Sequence, residues 1–91
     1  MGALAAHPDV LLTELGDGTG VLLHLGTKLY YTLNATGVAL WKALGPGPAS
    51  VEHLGEVLAG AFEVTPEEAA RDVDVLAREL VAEGLVVEHA A

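Results

Sequence analysis

The hydrophobic pattern of this chain changes period once, at Asn34, and that change limits the folds open to it. Before Asn34, apolar residues form short runs separated by turn residues; after it they recur every three to four positions. Val10 to Leu15 is rich in β-formers and stops at Gly16-Asp17-Gly18-Thr19-Gly20, where three glycines and an Asp-Gly pair mark a hairpin turn. Val21 to Leu25 is the second predicted strand, Gly26-Thr27 the next turn, and Lys28 to Leu33 the third strand, which carries both tyrosines. Turns this short join antiparallel neighbours, so the first third is predicted to be a three-stranded meander. Residues 1–8 are small and apolar, end at Pro8, and read as a loose lead-in. His24 alternates with Leu23 and Leu25 and is expected on the solvent face of its strand.

Asn34 suits the N-cap of a first helix, whose apolar face is Val38, Leu40, Trp41 and Leu44. Gly45-Pro46-Gly47-Pro48 stops it. Ser50 caps a second helix with Val51, Leu54, Val57, Leu58, Ala61 and Phe62 on one side. Thr65-Pro66-Glu67-Glu68 starts a third: Thr65 as cap, Pro66 in the first turn, Glu68 completing a capping box. Its predicted core stripe is Ala69, Val73, Leu76, Ala77 and Leu80, and Gly84 is its stop. Leu85 to Glu88 is a last short extended piece. Helices two and three have helix-turn-helix spacing. With the adjacent strands, this predicts an α+β, winged helix-turn-helix-like domain: a three-stranded antiparallel sheet followed by three helices.

Length and charge then narrow the function. A chain of 91 residues supports one domain, expected over residues 1–91, with a modest core and little room for an enclosed cavity. There is no cysteine, which excludes disulfides, thiolate metal sites and cysteine nucleophiles. No apolar run is long enough to span a bilayer, and the N-terminus lacks a basic segment of the secretory type, so the expectation is a soluble cytoplasmic protein. Four basic against 13 acidic residues give a net charge of −9, which opposes nucleic acid and anionic membrane as partners.

The glycine run is followed by a strand rather than a helix, and Asp17 would repel a phosphate, so it reads as a turn and not as a phosphate loop. His7, His24, His53 and His89 share no metal-ligand spacing, and no metal or cofactor is expected. Ser50, the only serine, is accounted for as a cap. No pair of acids lies in an apolar context suited to general acid work, so no catalytic residue and no enzyme is expected. Helix-turn-helix order raises DNA binding, but the helix that would enter the groove carries Glu67, Glu68, Asp72, Asp74, Glu79 and Glu83 against Arg71 and Arg78.

A protein-binding surface remains. A meander leaves two edge strands with unpaired backbone groups, which are either protected or used to capture another strand. Lys28 to Leu33 is aromatic and poorly protected; Tyr30 and Tyr31 serve either such an edge or the core beneath a helix.

The run Gly20-Val21-Leu22-Leu23-His24-Leu25, then Tyr30-Tyr31-Thr32-Leu33-Asn34-Ala35-Thr36-Gly37 and Leu40-Trp41-Lys42-Ala43-Leu44, resembles the PqqD-like proteins. Ser50-Val51-Glu52-His53-Leu54 and Asp72-Val73, Leu76, Leu80 and Glu83-Gly84-Leu85-Val86 fit the later part of that pattern, and the resemblance covers about residues 9–88. It implies a recognition element for ribosomally made, post-translationally modified peptides. Such an element is a non-catalytic adaptor that binds a precursor's leader segment and presents it to a modifying enzyme (a protease, cyclase or radical enzyme). The leader joins the third strand and packs on the third helix. Carried over, the peptide-binding residues are Lys28, Leu29, Tyr30, Tyr31, Thr32 and Leu33 with Asp72, Val75, Leu76 and Glu79, and Arg71 and Arg78 beside them. The opposite flank of the helix, Ala70, Asp74, Ala77 and Val81, is the competing choice. Acidic leader residues are expected to seek Lys28, Arg71 and Arg78. The chain lacks a Pro-Glu pair before the third strand, unlike members that serve quinone-cofactor synthesis, which points to another peptide pathway such as lasso-peptide or radical-enzyme clusters. The rival classes are a winged-helix DNA-binding regulator and a small structural subunit of an enzyme complex.

Overall fold

The computed structural model describes residues 2–45 and 47–89. The element order is β1 (Ala3–Ala6), β2 (Val10–Glu14), β3 (Gly20–His24), β4 (Tyr30–Leu33), α1 (Ala35–Ala43), α2 (Val51–Phe62), α3 (Pro66–Ala82) and β5 (Val86–His89). The fold is α+β. An antiparallel sheet β2-β3-β4 precedes the three helices, and β1 pairs with β5 in a second, two-stranded sheet.

The lead-in expected to be loose is therefore a strand. Leu4 is fully buried, and its amide and carbonyl both bond to Ala49 in the α1–α2 linker. No β-former in Ala3-Leu4-Ala5-Ala6 announces this, because its partners lie in distant parts of the chain. Burial of one leucine and pairing of otherwise unsatisfied backbone outweigh the weak local preference.

The helix starts follow their caps. Asn34 accepts from the Gly37 amide, Ser50 from His53, and Thr65 from Glu68. The Pro46 part of the expected stop after α1 lies outside the described residues. At the end of α3, Gly84 takes φ +75°, its amide reaches the Val81 carbonyl, and the Leu85 amide reaches Leu80. These two bonds form a Schellman motif, and both flanking apolar residues, Leu80 and Leu85, are buried. Glycine is suited to this left-handed position because a side chain there is strained.

Helices α2 and α3 pack closely where Gly55 meets Ala70: a Cβ on Gly55 would lie 3.0 Å from the backbone N and Cα of Ala70. This contact sets the rotation of α2. Its buried face is Val51, Leu54, Gly55 and Leu58, while Val57, Ala61 and Phe62, expected inside, are exposed. On α3, Ala69, Val73, Ala77 and Leu80 are buried as expected, but Leu76 is only half-buried. It stands at the border between the core and the face turned towards β4.

The first sheet has its phase reversed at His24. Gly20, Leu22 and His24 face inward, so His24 is buried and Leu25 exposed, opposite to the expectation. Its ring has a backbone role: Nδ1 accepts from the amides of Gly26 and Thr27 at 3.0 and 3.2 Å. A polar side chain with its acceptor satisfied by a turn carries little burial penalty. The turn also shortens the third strand. Lys28 adopts φ +66°, a left-handed conformation that no strand continues through, so β4 begins at Tyr30 and not at Lys28.

Candidate functional site

Strand β4 lies at the edge of its sheet, paired only with β3. The His24 amide donates to the Leu29 carbonyl at 3.0 Å, which makes these two a hydrogen-bonded pair. With Leu22 opposite Tyr31 and Gly20 opposite Leu33, the alternation of an antiparallel ladder assigns Tyr31 and Leu33 to bonds with β3. The N–H and C=O groups of Tyr30 and Thr32 then point to the open edge. Tyr31 and Leu33 send their side chains inward; Tyr30 and Thr32 send theirs to the outer face.

A cleft of about 530 Å³ runs between this strand and α3, lined by Tyr31, Thr32, Leu33 and Asn34 on one side and Leu76 and Glu79 on the other. A second hollow of about 320 Å³ adjoins it through Asn34, Leu76 and Glu79, and adds Thr36, Asp72 and Val75. The Tyr31 hydroxyl donates to Glu79 Oε2 at 2.7 Å and ties the two walls together. Val75 is 59% exposed at the mouth, an apolar side chain about 200° around the helix from the buried Val73.

Of the residues named from sequence, Tyr31, Thr32, Leu33, Asp72, Val75, Leu76 and Glu79 line these hollows. Leu29 and Tyr30 are exposed and absent from the lining. Lys28 sits in the preceding turn. Arg78 binds Asp74 at 3.0 Å, one turn back on the opposite flank, and that carboxylate raises its pKa. Arg71 borders a separate hollow with Glu68 and Asp72. Among the described residues, the charged side chains lining the two joined hollows are thus Asp72 and Glu79, both acidic. Sequence reading missed Leu15, Thr19 and Gly20 from the β2–β3 turn, and Asn34 and Thr36 at the start of α1. Leu15, a large apolar residue 48% exposed beside a glycine turn, carried the one local signal.

The Tyr31 phenol is held above the ordinary tyrosine value. Its bond to the Glu79 carboxylate is the main cause, followed by partial burial and the charges of Glu79 and Glu83. Ionisation would remove the donor and set a phenolate beside two carboxylates. The folded chain therefore holds this proton more tightly than the unfolded chain does. The stabilisation is complete below the usual tyrosine range, about pH 10, and is lost as pH rises through the raised value. An alkaline absorbance titration should show one of the two phenols ionising later in the folded protein than in urea. Glu79→Gln should move that phenol back to lower pH; an unchanged titration would mean the bond does not form in solution.

An open strand edge, a cleft of mixed polar and apolar lining beside it and a helix wall define a protein that accepts an extended segment. The chain belongs to the PqqD family, described as coenzyme PQQ synthesis protein D, whose pattern matches residues 19–86. Two solved structures share the fold closely. One is TbiB1 in complex with the TbiA(beta) leader peptide, 26% identical, with a TM-score of 0.81 over 96% of this chain and 99% of that one. The other is lasso peptide synthetase B1 complexed with the leader peptide, 25% identical, with a TM-score of 0.76 over 92% and 96%. No curated protein sequence matches. Among the described residues, no group of three or more His, Asp or Glu side chains is arranged to hold a metal ion, and no helix is long and apolar enough to cross a membrane.

Proposed function

We propose that this chain is a non-catalytic adaptor that binds the leader segment of a ribosomally made precursor peptide. The leader adds as a strand to β4, and the adaptor presents it to a modifying enzyme, a protease, cyclase or radical enzyme. The observation that carries this reading is the open edge of β4 facing a cleft walled by α3. Its support is family membership together with two structural relatives that are themselves leader-peptide complexes. Main-chain bonds to Tyr30 and Thr32 supply a sequence-tolerant share of affinity, and side-chain contacts at Leu76 and Val75 supply selectivity. The peptide residues proposed are Tyr30 to Leu33 with Asp72, Val75, Leu76 and Glu79; Lys28, Leu29, Arg71 and Arg78 stand at the periphery. DNA is disfavoured because the exposed face of α3 carries Glu67, Glu68, Asp72, Glu79 and Glu83, each opposing a polyanion.

Adding the cognate leader to labelled protein should move the amide resonances of β4 and the middle of α3. Shifts confined to β2 or α2 would put the site elsewhere. Val75→Asp should weaken binding by more than about 1 kcal/mol, since it sets a charge in an apolar contact. It should leave the melting curve almost unchanged, because the side chain is exposed.

A further inference from the structure

We infer that the leader segment this chain selects is basic: a Lys or Arg side chain, next to an apolar residue, meets the Glu79 carboxylate in the cleft. The inference rests on the reading of the cleft as the leader site and names the chemistry that site prefers. Glu79 is fixed from one side, because the Tyr31 hydroxyl donates to Oε2. That bond leaves Oε1 and the remaining lone pairs free to accept from a cation. Charge-assisted bonds from ammonium or guanidinium to carboxylate are stronger than neutral ones. Asp72 lies seven residues earlier, about 10 Å along the helix axis, and adds negative potential. Val75 between them, 59% exposed, supplies the apolar neighbour.

Among the described residues, no Lys or Arg forms an ion pair with Glu79. Arg78 is engaged by Asp74, Lys42 by Glu14 at 2.7 Å, and Lys28 lies in the β3–β4 turn. Arg71 borders Asp72 in a separate hollow that Glu79 does not line. A net charge of −9 extends the preference beyond the contact itself, because the whole surface repels an acidic peptide. This reverses the expectation that acidic leader residues seek Lys28, Arg71 and Arg78.

The test uses the leader peptide of the cognate precursor, fluorescently labelled, and two variants in which its Lys and Arg residues become Gln or Glu. Anisotropy titrations on the wild-type protein should rank the native peptide first, the Gln form roughly threefold to tenfold weaker, and the Glu form weaker still. The Glu79→Gln protein keeps an acceptor for Tyr31 and should lose most of the difference between native and Gln peptides. The Glu79→Lys protein should favour the Glu peptide, a reversal that loss of structure would not produce; circular dichroism melts check that both variants fold. The inference is overturned if the Gln or Glu peptide binds the wild type as tightly as the native one, or if a native leader without Lys or Arg binds tightly. If no peptide binds the wild type, the leader reading itself falls and takes this inference with it.

Discussion

Replacing Leu80 by aspartate is expected to abolish the cooperative thermal transition. Leu80 is fully buried on α3 and belongs to the core that also holds Leu54, Leu85 and Leu4. It is also the residue whose carbonyl accepts the Leu85 amide in the helix-ending motif. The substitution removes the buried apolar group and places a carboxyl where no partner exists. Lost burial and an unsatisfied polar group together cost roughly 5 kcal/mol or more. A chain of this length has a total stability of about 5–14 kcal/mol, so much or all of it is lost. Leu76→Asp, four residues earlier, should behave differently. Leu76 is half-buried at the cleft, so its variant should melt cooperatively while binding leader poorly. Thermal melts by circular dichroism separate the two. A Leu80→Asp protein that melts like the wild type would mean the α3 face is wrongly placed.

The largest effect on binding is expected at Thr32. Its N–H lies on the open edge of β4, so Thr32→Pro removes no bond to β3 and is the kind of proline an edge strand tolerates. It does remove a donor for an added strand, and its ring blocks close approach of a second backbone. Leader affinity should fall at least about tenfold, about 1.4 kcal/mol. Thr32→Val keeps the N–H and the β preference and should bind nearly as well as the wild type. Calorimetric titration of all three proteins distinguishes the cases. If Thr32→Pro binds leader normally, the peptide does not extend the sheet at β4.

Much of the fold was legible in local chemistry. Asn34, Ser50 and Thr65 each mark a helix start by a side chain that can satisfy amides a few residues away. Gly84 marks the end of α3 because a left-handed stop there favours glycine. The glycine run after Leu15 marks the β2–β3 turn, where Gly18 has φ +90°. The α3 side of the cleft was legible too. Val75 breaks the core pattern of its helix, and an apolar residue off that pattern is either surface noise or part of a groove.

What local chemistry left undecided depends on partners far along the chain. His24 fits either face of an alternating strand. Only the Gly26–Thr27 turn, whose amides need an acceptor, draws its ring inward. The helical period of α2 admitted Val57 and Phe62 to the core; the close approach of Gly55 to Ala70 rotates them out. Of the cations expected beside the groove, Arg78 pairs with Asp74 four residues earlier, a contact that helical spacing alone allows but does not require. The sequence by itself determined where the three helices start, where α3 stops and where the β2–β3 hairpin turns, because those caps and turns are satisfied within a few residues. Only the tertiary structure decided that residues 3–6 form a strand, that Tyr31 meets Glu79, and that Leu15, Thr19 and Asn34 join β4 and α3 in lining the cleft. Those facts require segments tens of residues apart to be packed together, and short-range periodicity carries no record of that packing.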